Sequence, residues 1–113
     1  MKQAVIKGVQ EKHIKVLFIT PERLFMEDLS KFKRQVSMVC VDEIHCSSEW
    51  SHNFRPAYLV LHEMIREKLG KETRVIGLTA TATRAAQRQI CDVFDIKYPD
   101  NIVTCTDLSR MNL

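Results

Sequence analysis

The stretch that decides the fold is VSMVCVDEIH, residues 36–45. Its first six residues form an apolar run broken only by Ser37, which predicts a buried strand over Val36–Val41. Asp42 and Glu43 follow directly at the carboxyl end of that strand. Strands that read as continuous apolar runs are typical of a parallel sheet covered by helices on both faces. The stretch therefore predicts an α/β fold with two carboxylates at the end of a strand.

Further strands and helices alternate on either side of this stretch, as a parallel α/β sheet requires. Short apolar runs predict strands at Val16–Ile19 and Val75–Leu78, and a fourth strand is expected to begin at Ile102 and Val103. Such sheets bind ligands beyond the carboxyl ends of their strands. Polar clusters lie at those ends, which predicts a functional site there: Thr20-Pro21-Glu22-Arg23, Asp42-Glu43-Ile44-His45 and Thr79-Ala80-Thr81.

Four helices are expected between and around the strands. Apolar residues at helical spacing predict helices over Ala57–Leu69 and Thr83–Phe94. Thr20 is a good N-cap and Pro21 is favoured at the first helical position, so a helix is expected to begin there. A weakly amphipathic helix is expected over Lys2–Lys12.

Length and composition limit the classes of protein to consider. The chain has 113 residues, of which 45% are hydrophobic and 27% are charged, so one globular domain is expected and intrinsic disorder is not. A formal charge of +3 permits a nucleic-acid partner without requiring one. No apolar run approaches the roughly 18 residues that cross a bilayer, so no membrane partner is expected.

The cysteines indicate a reducing compartment. None of the four forms a Cys-x-x-Cys pair, and two lie in apolar runs, so free thiols are expected. A zinc site is an alternative, although the spacing fits no common zinc pattern. Its ligands would be Cys40, His45, Cys46 and His52.

The carboxylates at the end of the second predicted strand suit nucleotide chemistry. One carboxylate there can hold a hydrated Mg²⁺ beside nucleotide phosphates, while its neighbour orients or deprotonates the attacking water. The alternative is that Asp42 and Glu43 are two solvated acids that cap a strand. The threonines from Thr79 to Thr83 likewise suit either a loop that senses a ligand or a turn followed by a helix N-cap.

Aromatic and basic residues crowd into the segment between Cys46 and Pro56. Trp50, Phe54 and Arg55 would suit stacking on unpaired bases and contact with phosphates if they lie on an exposed loop. The alternative is that Trp50 and Phe54 fold inward as a small satellite core. Residue types alone favour neither arrangement.

Taken together, DEIH (42–45), WSHNFRP (50–56) and GLTATAT (77–83) resemble the RecQ group of superfamily 2 DNA helicases. The segment at 50–56 is the most specific of the three. TPER (20–23) matches a further motif, and LSRMNL (108–113) resembles the junction that ends the first RecA-like domain. The form WSHNFRP-x-YL resembles the eukaryotic branch that includes the Rothmund–Thomson syndrome helicase. Ile44 stands where this family commonly has Ala.

The resemblance implies a partial RecA-like domain and a set of residue roles. Residues 1–113 would be the C-terminal portion of the first RecA-like domain, without its P-loop and without the second domain. The implied cofactors are ATP and Mg²⁺, with Mg²⁺ held by Asp42. The roles would be catalysis by Asp42 and Glu43, coupling by His45, Thr79, Ala80 and Thr81, and DNA binding by Thr20, Arg23, Trp50, Phe54 and Arg55.

The implied parent function is ATP-dependent, 3′ to 5′ unwinding of DNA, with single-stranded and forked DNA as partners. The chain would act with the missing helicase segments of its parent, in the nucleus if eukaryotic and otherwise in the cytoplasm. Because a P-loop is the main phosphate cradle of such enzymes, the isolated chain is expected to be inactive. Two alternatives are a non-catalytic module that binds single-stranded DNA and a fragment of a DExH-box RNA helicase.

Overall fold

The computed structural model describes residues 2–33 and 35–104. Within them, two parallel strands form a sheet: β1 is Met38–Val41 and β2 is Arg74–Gly77. Val41 lies opposite Gly77 in the register, so the carboxyl ends of both strands meet at one edge. The strands predicted from the second and third apolar runs are confirmed, with ends that shift by one or two residues. The predicted burial on both faces is wrong, because Met38 and Cys40 of β1 and Ile76 of β2 are exposed.

Helices flank this sheet where the sequence periodicity places them. Val60, with φ −95° and ψ 0°, interrupts the helix predicted over Ala57–Leu69 and divides it into two helices. The N-caps at Thr20 and Thr83 are confirmed, because each side-chain oxygen accepts a hydrogen bond from a backbone N–H three residues on. The helices are α1 Gln3–Gln10, α2 Pro21–Met26, α3 Pro56–Leu59, α4 Leu61–Leu69 and α5 Arg84–Phe94, with 3₁₀ turns at Ser30–Phe32 and Ile44–Ser47.

The strand predicted at Val16–Ile19 is wrong. The segment has neither helix nor strand, and Phe18 is 93% exposed. An apolar run becomes a strand only when a neighbouring backbone pairs with it, and no described segment does so here. The start of a strand at Ile102 and Val103 is wrong in the same way, since Val103 is fully exposed.

The hydrophobic core lies between the sheet and the helices that flank it in the chain on both sides. Ile65 of α4 is completely buried at its centre. Lys68, on the same helix, donates three hydrogen bonds of 2.7 Å to the carbonyl oxygens of Leu24, Phe25 and Glu27 and so holds the end of α2 on α4. The other members include Phe32, Val41, Ile44, Tyr58, Leu61, Ile90 and Phe94.

Over the ranges that the structure describes, no helix has the length and apolar character needed to cross a bilayer. The motif at 108–113 lies outside those ranges.

Candidate functional site: the strand-end cleft

The two carboxylates follow β1 in a tight turn. The Asp42 carboxylate accepts a hydrogen bond from the Glu43 backbone N–H at 2.9 Å. Glu43 itself adopts the left-handed conformation, with φ 50° and ψ 42°, which is uncommon for a residue with a side chain. This turn starts the 3₁₀ segment Ile44–Ser47 and leaves both carboxylates exposed at the strand end.

His45 joins the two strand ends. Its ring is buried, at 6% exposure, and its Nδ1 lies 2.8 Å from the Thr79 hydroxyl oxygen and 3.2 Å from a Glu43 carboxylate oxygen. An ionised carboxylate can only accept hydrogen bonds, so the tautomer with a proton on Nδ1 satisfies this arrangement. The Thr79 oxygen also accepts from the Thr81 backbone N–H at 3.2 Å. A structural change in the 42–45 turn or in the 79–81 segment would therefore alter the position of the His45 ring and, through it, the other segment.

Backbone contacts hold the same two strand ends in register beyond the sheet. Leu78 N–H donates to the Val41 carbonyl, and Ile44 N–H donates to the Leu78 carbonyl, both at 2.9 Å. Gly77 is needed here, because a Cβ at that position would lie 2.3 Å from the Ile44 Cδ1. The Ile44 side chain thus fills the space that any larger residue at 77 would occupy.

The aromatic-rich loop, residues 49–55, places its two aromatic side chains in different environments. Trp50 is 72% exposed, so it does not fold into a satellite core. Phe54 is half-buried. The loop returns to the strand-end turn at Arg55, whose backbone N–H donates to the Cys46 carbonyl at 2.8 Å. The loop therefore presents one aromatic face to solvent and keeps the other against the protein.

Arg55 connects the loop to α2. Its guanidinium pairs with the Glu22 carboxylate, and its Cζ lies 5.6 Å from the centre of the Tyr58 ring. A hydrogen bond with the Glu22 backbone and the nearby Arg55 charge hold the pKa of the Glu22 carboxyl below its usual value. Both charged groups are about half exposed, so they remain open to a competing ligand.

One cleft of about 540 Å³ brings these segments together. The 42–45 turn, the aromatic-rich loop and the 79–81 segment each contribute to its wall, as the sequence predicted for the strand ends. Its lining residues are Glu43, His45, Cys46, Asn53, Phe54, Arg55, Ala80 and Thr81.

Five predicted site residues lie outside that lining. Thr20 and Arg23 border a second, more apolar cavity of about 290 Å³. The Thr20 oxygen caps α2, and the Arg23 guanidinium lies 2.9 Å from the Glu27 carboxylate. Asp42 and Thr79 adjoin lining residues in the sequence, and Trp50 belongs to the loop that forms part of the wall, but none of the three is itself a lining residue. The DNA-binding roles of Thr20 and Arg23 stay predictions.

Residues 1–89 match the DEAD/DEAH box helicase family. The chain belongs to this family. It is 43% identical over 94 residues to an Arabidopsis thaliana protein, ATP-dependent DNA helicase Q-like 5. The aligned region covers 80% of this chain and 10% of that protein. It is 36% identical over 110 residues to ATP-dependent DNA helicase RecQ of Bacillus subtilis, covering 96% and 18%. Against human ATP-dependent DNA helicase Q4 it is 41% identical over 86 residues, covering 74% and 7%.

These similarities confirm the predicted resemblance to RecQ helicases. This helicase-family chain spans less than a fifth of the length of each of those three relatives. The observed parallel sheet with flanking helices agrees with the α/β, partial RecA-like fold that the resemblance implied.

The carboxylates of the 42–45 turn suit Mg²⁺ better than zinc. Within residues 2–33 and 35–104, no three His, Cys, Asp or Glu side chains are placed to hold a metal, so the zinc alternative fails. Mg²⁺ keeps several waters and needs only one or two protein carboxylates beside substrate phosphates. Asp42 offers an exposed carboxylate oriented by the Glu43 N–H, which suits that role. Burial raises the pKa of the Cys46 thiol, which keeps it neutral.

Sequence reasoning missed three residues that shape the site. Glu22 pairs with Arg55, and Tyr58 donates to the Asp42 carbonyl at 3.3 Å. Gln89 of α5 accepts hydrogen bonds from the loop. Glu22 carried a signal as a member of the polar cluster at 20–23, although no role was assigned to it. Gln89 carried one because it is a polar residue on the apolar face of a helix, three residues after Ala86 and four before Val93.

Proposed function

We propose that this chain is part of an ATP-dependent DNA helicase and forms the C-terminal portion of its first RecA-like domain. The observation that carries the proposal is the bridging position of His45, which lies between the Glu43 carboxylate and the Thr79 hydroxyl in one cleft with the aromatic-rich loop. Membership of the DEAD/DEAH box helicase family and the similarity to ATP-dependent DNA helicases support it.

The carboxylates would serve the nucleotide. Asp42 would hold a hydrated Mg²⁺, which neutralises phosphate charge when it is bound with ATP. Glu43 would orient and deprotonate the attacking water, since its exposed carboxylate faces the cleft. The His45 ring, by hydrogen bonding to Glu43, would fix the direction in which that carboxylate points.

The aromatic-rich loop would contact single-stranded DNA. Trp50 offers an exposed indole on which a base can stack, and Arg55 offers a half-exposed guanidinium for a phosphate. Trp50 lies 7 positions and Arg55 lies 12 positions after Glu43 in the sequence, and Arg55 shares the cleft with Glu43. DNA on the loop would therefore lie near enough to alter the hydrolytic group.

Thr79 and Thr81 would carry that signal to the second strand end. Thr79 contacts His45 and its oxygen accepts from Thr81, so any shift of the His45 ring changes the geometry of this segment. In the parent enzyme this coupling would drive 3′ to 5′ translocation and the opening of forked DNA, as the resemblance to RecQ helicases implies.

A DNA-binding measurement on the 113-residue chain tests the DNA side of the proposal. Fluorescence anisotropy of a labelled single-stranded oligonucleotide should show saturable, sequence-independent binding that weakens as salt rises. Arg55→Ala and Trp50→Ala should each weaken it. Arg74→Ala is the matched control, because Arg74 begins β2 at the opposite end of the strand from the cleft. Equal affinity of all four proteins would overturn the assignment of the loop.

The isolated chain should not hydrolyse ATP, because its 113 residues include no glycine-rich phosphate loop. A coupled-enzyme assay with and without single-stranded DNA checks this. Turnover stimulated by DNA in the pure chain would refute that expectation.

A second function, a non-catalytic module that binds single strands, is favoured by the outward position of Trp50. Competition between single-stranded DNA and RNA of the same sequence separates a DNA-binding module from the RNA-helicase alternative. Preference for DNA supports the first, and preference for RNA supports the second.

A further inference from the structure

The start of the aromatic-rich loop is held on α5 by one side chain. The Gln89 Oε1 accepts a 2.7 Å hydrogen bond from the Ser48 hydroxyl and a 3.0 Å hydrogen bond from the Glu49 backbone N–H. Ser48 is completely buried, and its oxygen accepts in turn from the Trp50 backbone N–H at 3.2 Å. Ser48 and the first two residues of the loop, Glu49 and Trp50, therefore depend on a single amide oxygen.

The orientation of the Gln89 amide follows from these partners. A backbone N–H can only donate, so the group that faces Glu49 must be the carbonyl oxygen of the side chain. The Ser48 hydroxyl then donates to the same oxygen and uses its own lone pairs for Trp50. No other part of a glutamine side chain could satisfy both donors at once.

The same helix begins at the second strand end. Thr83 caps α5 by accepting from the Ala86 backbone N–H at 3.2 Å, and Thr83 directly follows the 79–82 segment. The helix thus has one end fixed to that segment, while Gln89, six residues after Thr83, holds the loop. A short, rigid element therefore joins the two segments by a route that does not pass through His45.

We propose that Gln89 is a positioning residue, which sets the conformation of the aromatic-rich loop from α5 and so links Trp50 to the segment beginning at Thr79. This rests on the proposed function for its consequence in DNA binding, but the positioning itself is independent of DNA. Gln89 contacts the loop and not the reacting groups, so no direct part in hydrolysis is assigned to it.

Trp50 is the only tryptophan of the chain, so its fluorescence reports on this loop alone. The experiment compares the anisotropy of Trp50 emission, without DNA, in the wild-type chain and in Gln89→Met, which removes the acceptor at nearly constant length and helix propensity. Loss of the acceptor should free the loop and lower the anisotropy. Gln89→Glu keeps an oxygen that accepts both hydrogen bonds, so it should retain the wild-type value.

Two further variants make the result decisive. Ser48→Ala removes the buried donor from the loop side and should lower the anisotropy in the same direction, even if Gln89→Met does not fold. Gln10→Met makes the same chemical change at an exposed position that ends α1 and should change nothing. Circular dichroism identifies any variant whose helices are lost.

A DNA arm separates failure of this inference from failure of the proposed function. If the wild-type chain binds a labelled single-stranded oligonucleotide, Gln89→Met should raise its Kd about fivefold, because both hydrogen bonds to the Gln89 oxygen are lost and the loop is no longer held for DNA. If the wild-type chain binds no DNA, the proposed function fails while the anisotropy still decides the role of Gln89. Wild-type anisotropy in folded Gln89→Met or in Ser48→Ala, or equal loss in Gln89→Glu, would overturn the inference.

Discussion

Gly77→Ala should disturb the strand-end turn by collision with one methyl group. A Cβ at position 77 would lie 2.3 Å from the Ile44 Cδ1, about 1.2 Å short of the 3.5 Å at which carbon atoms make favourable contact. Ile44 is buried in the core and directly follows Glu43, so neither it nor the strand can move freely. We expect overpacking to lower the free energy of unfolding by about 2 kcal/mol, within the range of such insertions.

Ile44→Val is the second mutation of a double-mutant cycle with Gly77→Ala, because it removes only the Cδ1 methyl group that lies nearest to the added Cβ. Alone it should cost about 1 kcal/mol, as is usual when a buried isoleucine loses one methyl group. Independent effects would make the double variant about 3 kcal/mol less stable than the wild type. Because Ile44 Cγ2 and Cβ would still lie 3.1 Å and 3.3 Å from the added Cβ, relief is partial, and the double variant should instead lose about 2 kcal/mol, which is a coupling of about 1 kcal/mol.

Urea unfolding followed by circular dichroism measures the four proteins of this cycle. The corresponding shift in Tm is about 4 °C for each kcal/mol in a domain of this size. Additive losses in the double variant, or a Gly77→Ala variant as stable as the wild type, would refute the packing argument. The glycine would then be required for some reason other than the Ile44 side chain.

Three further outcomes test other parts of the fold. Burial, and then the Arg66 charge, lower the pKa of His62 below its ordinary 6.5, so the stability given by the neutral ring is complete above about pH 6.5 and is lost as pH falls toward the lowered value. His62→Gln should reduce this fall in the free energy of unfolding, measured with urea between pH 7.5 and 5. His13→Gln, at an exposed position, should leave it unchanged. An unchanged pH dependence in His62→Gln would contradict the role given to the buried His62 ring. Lys68→Met should lower the free energy of unfolding in urea by about 2 kcal/mol and speed amide exchange in α2, because three carbonyl oxygens lose a charged donor. A loss below about 0.5 kcal/mol would contradict the role of Lys68 in holding α2 on α4. Thr83→Ala should lower the unfolding free energy by about 1 kcal/mol in thermal unfolding through loss of the α5 cap, while Thr83→Ser should retain most of it, and equal losses would mean that the hydroxyl does not act as the cap.

The parts of the fold that the sequence predicts well are those fixed by local pattern. The apolar run before Asp42 forms a strand because its composition suits a parallel strand and β2 supplies the partner, although Met38 and Cys40 are exposed. Thr20 and Thr83 cap their helices because the required donor is only three residues away. The clustering of polar residues at one sheet edge follows from the parallel arrangement itself.

The parts that sequence reasoning missed depend on segments far apart in the chain. Val16–Ile19 has the composition of a strand, but strand formation needs a partner backbone, which composition does not reveal. Glu22 meets Arg55 across 33 positions, and Gln89 meets Ser48 across 41. Nothing local to either residue specifies such a pair, so these links become visible only when the helices are packed.

The most direct test of coupling between the loop and the carboxylates uses a chimera, in which this chain replaces the matching segment of the Bacillus subtilis relative, to which it is 36% identical over 110 residues. ATP turnover is measured with increasing single-stranded DNA in the chimera and in its Thr79→Val variant, which keeps the side-chain shape but removes the hydroxyl beside His45. The account predicts that Thr79→Val retains DNA affinity and loses most of the stimulation by DNA. Stimulation equal to that of the parent chimera would contradict the assignment of the His45 and Thr79 contact as the link between DNA and hydrolysis.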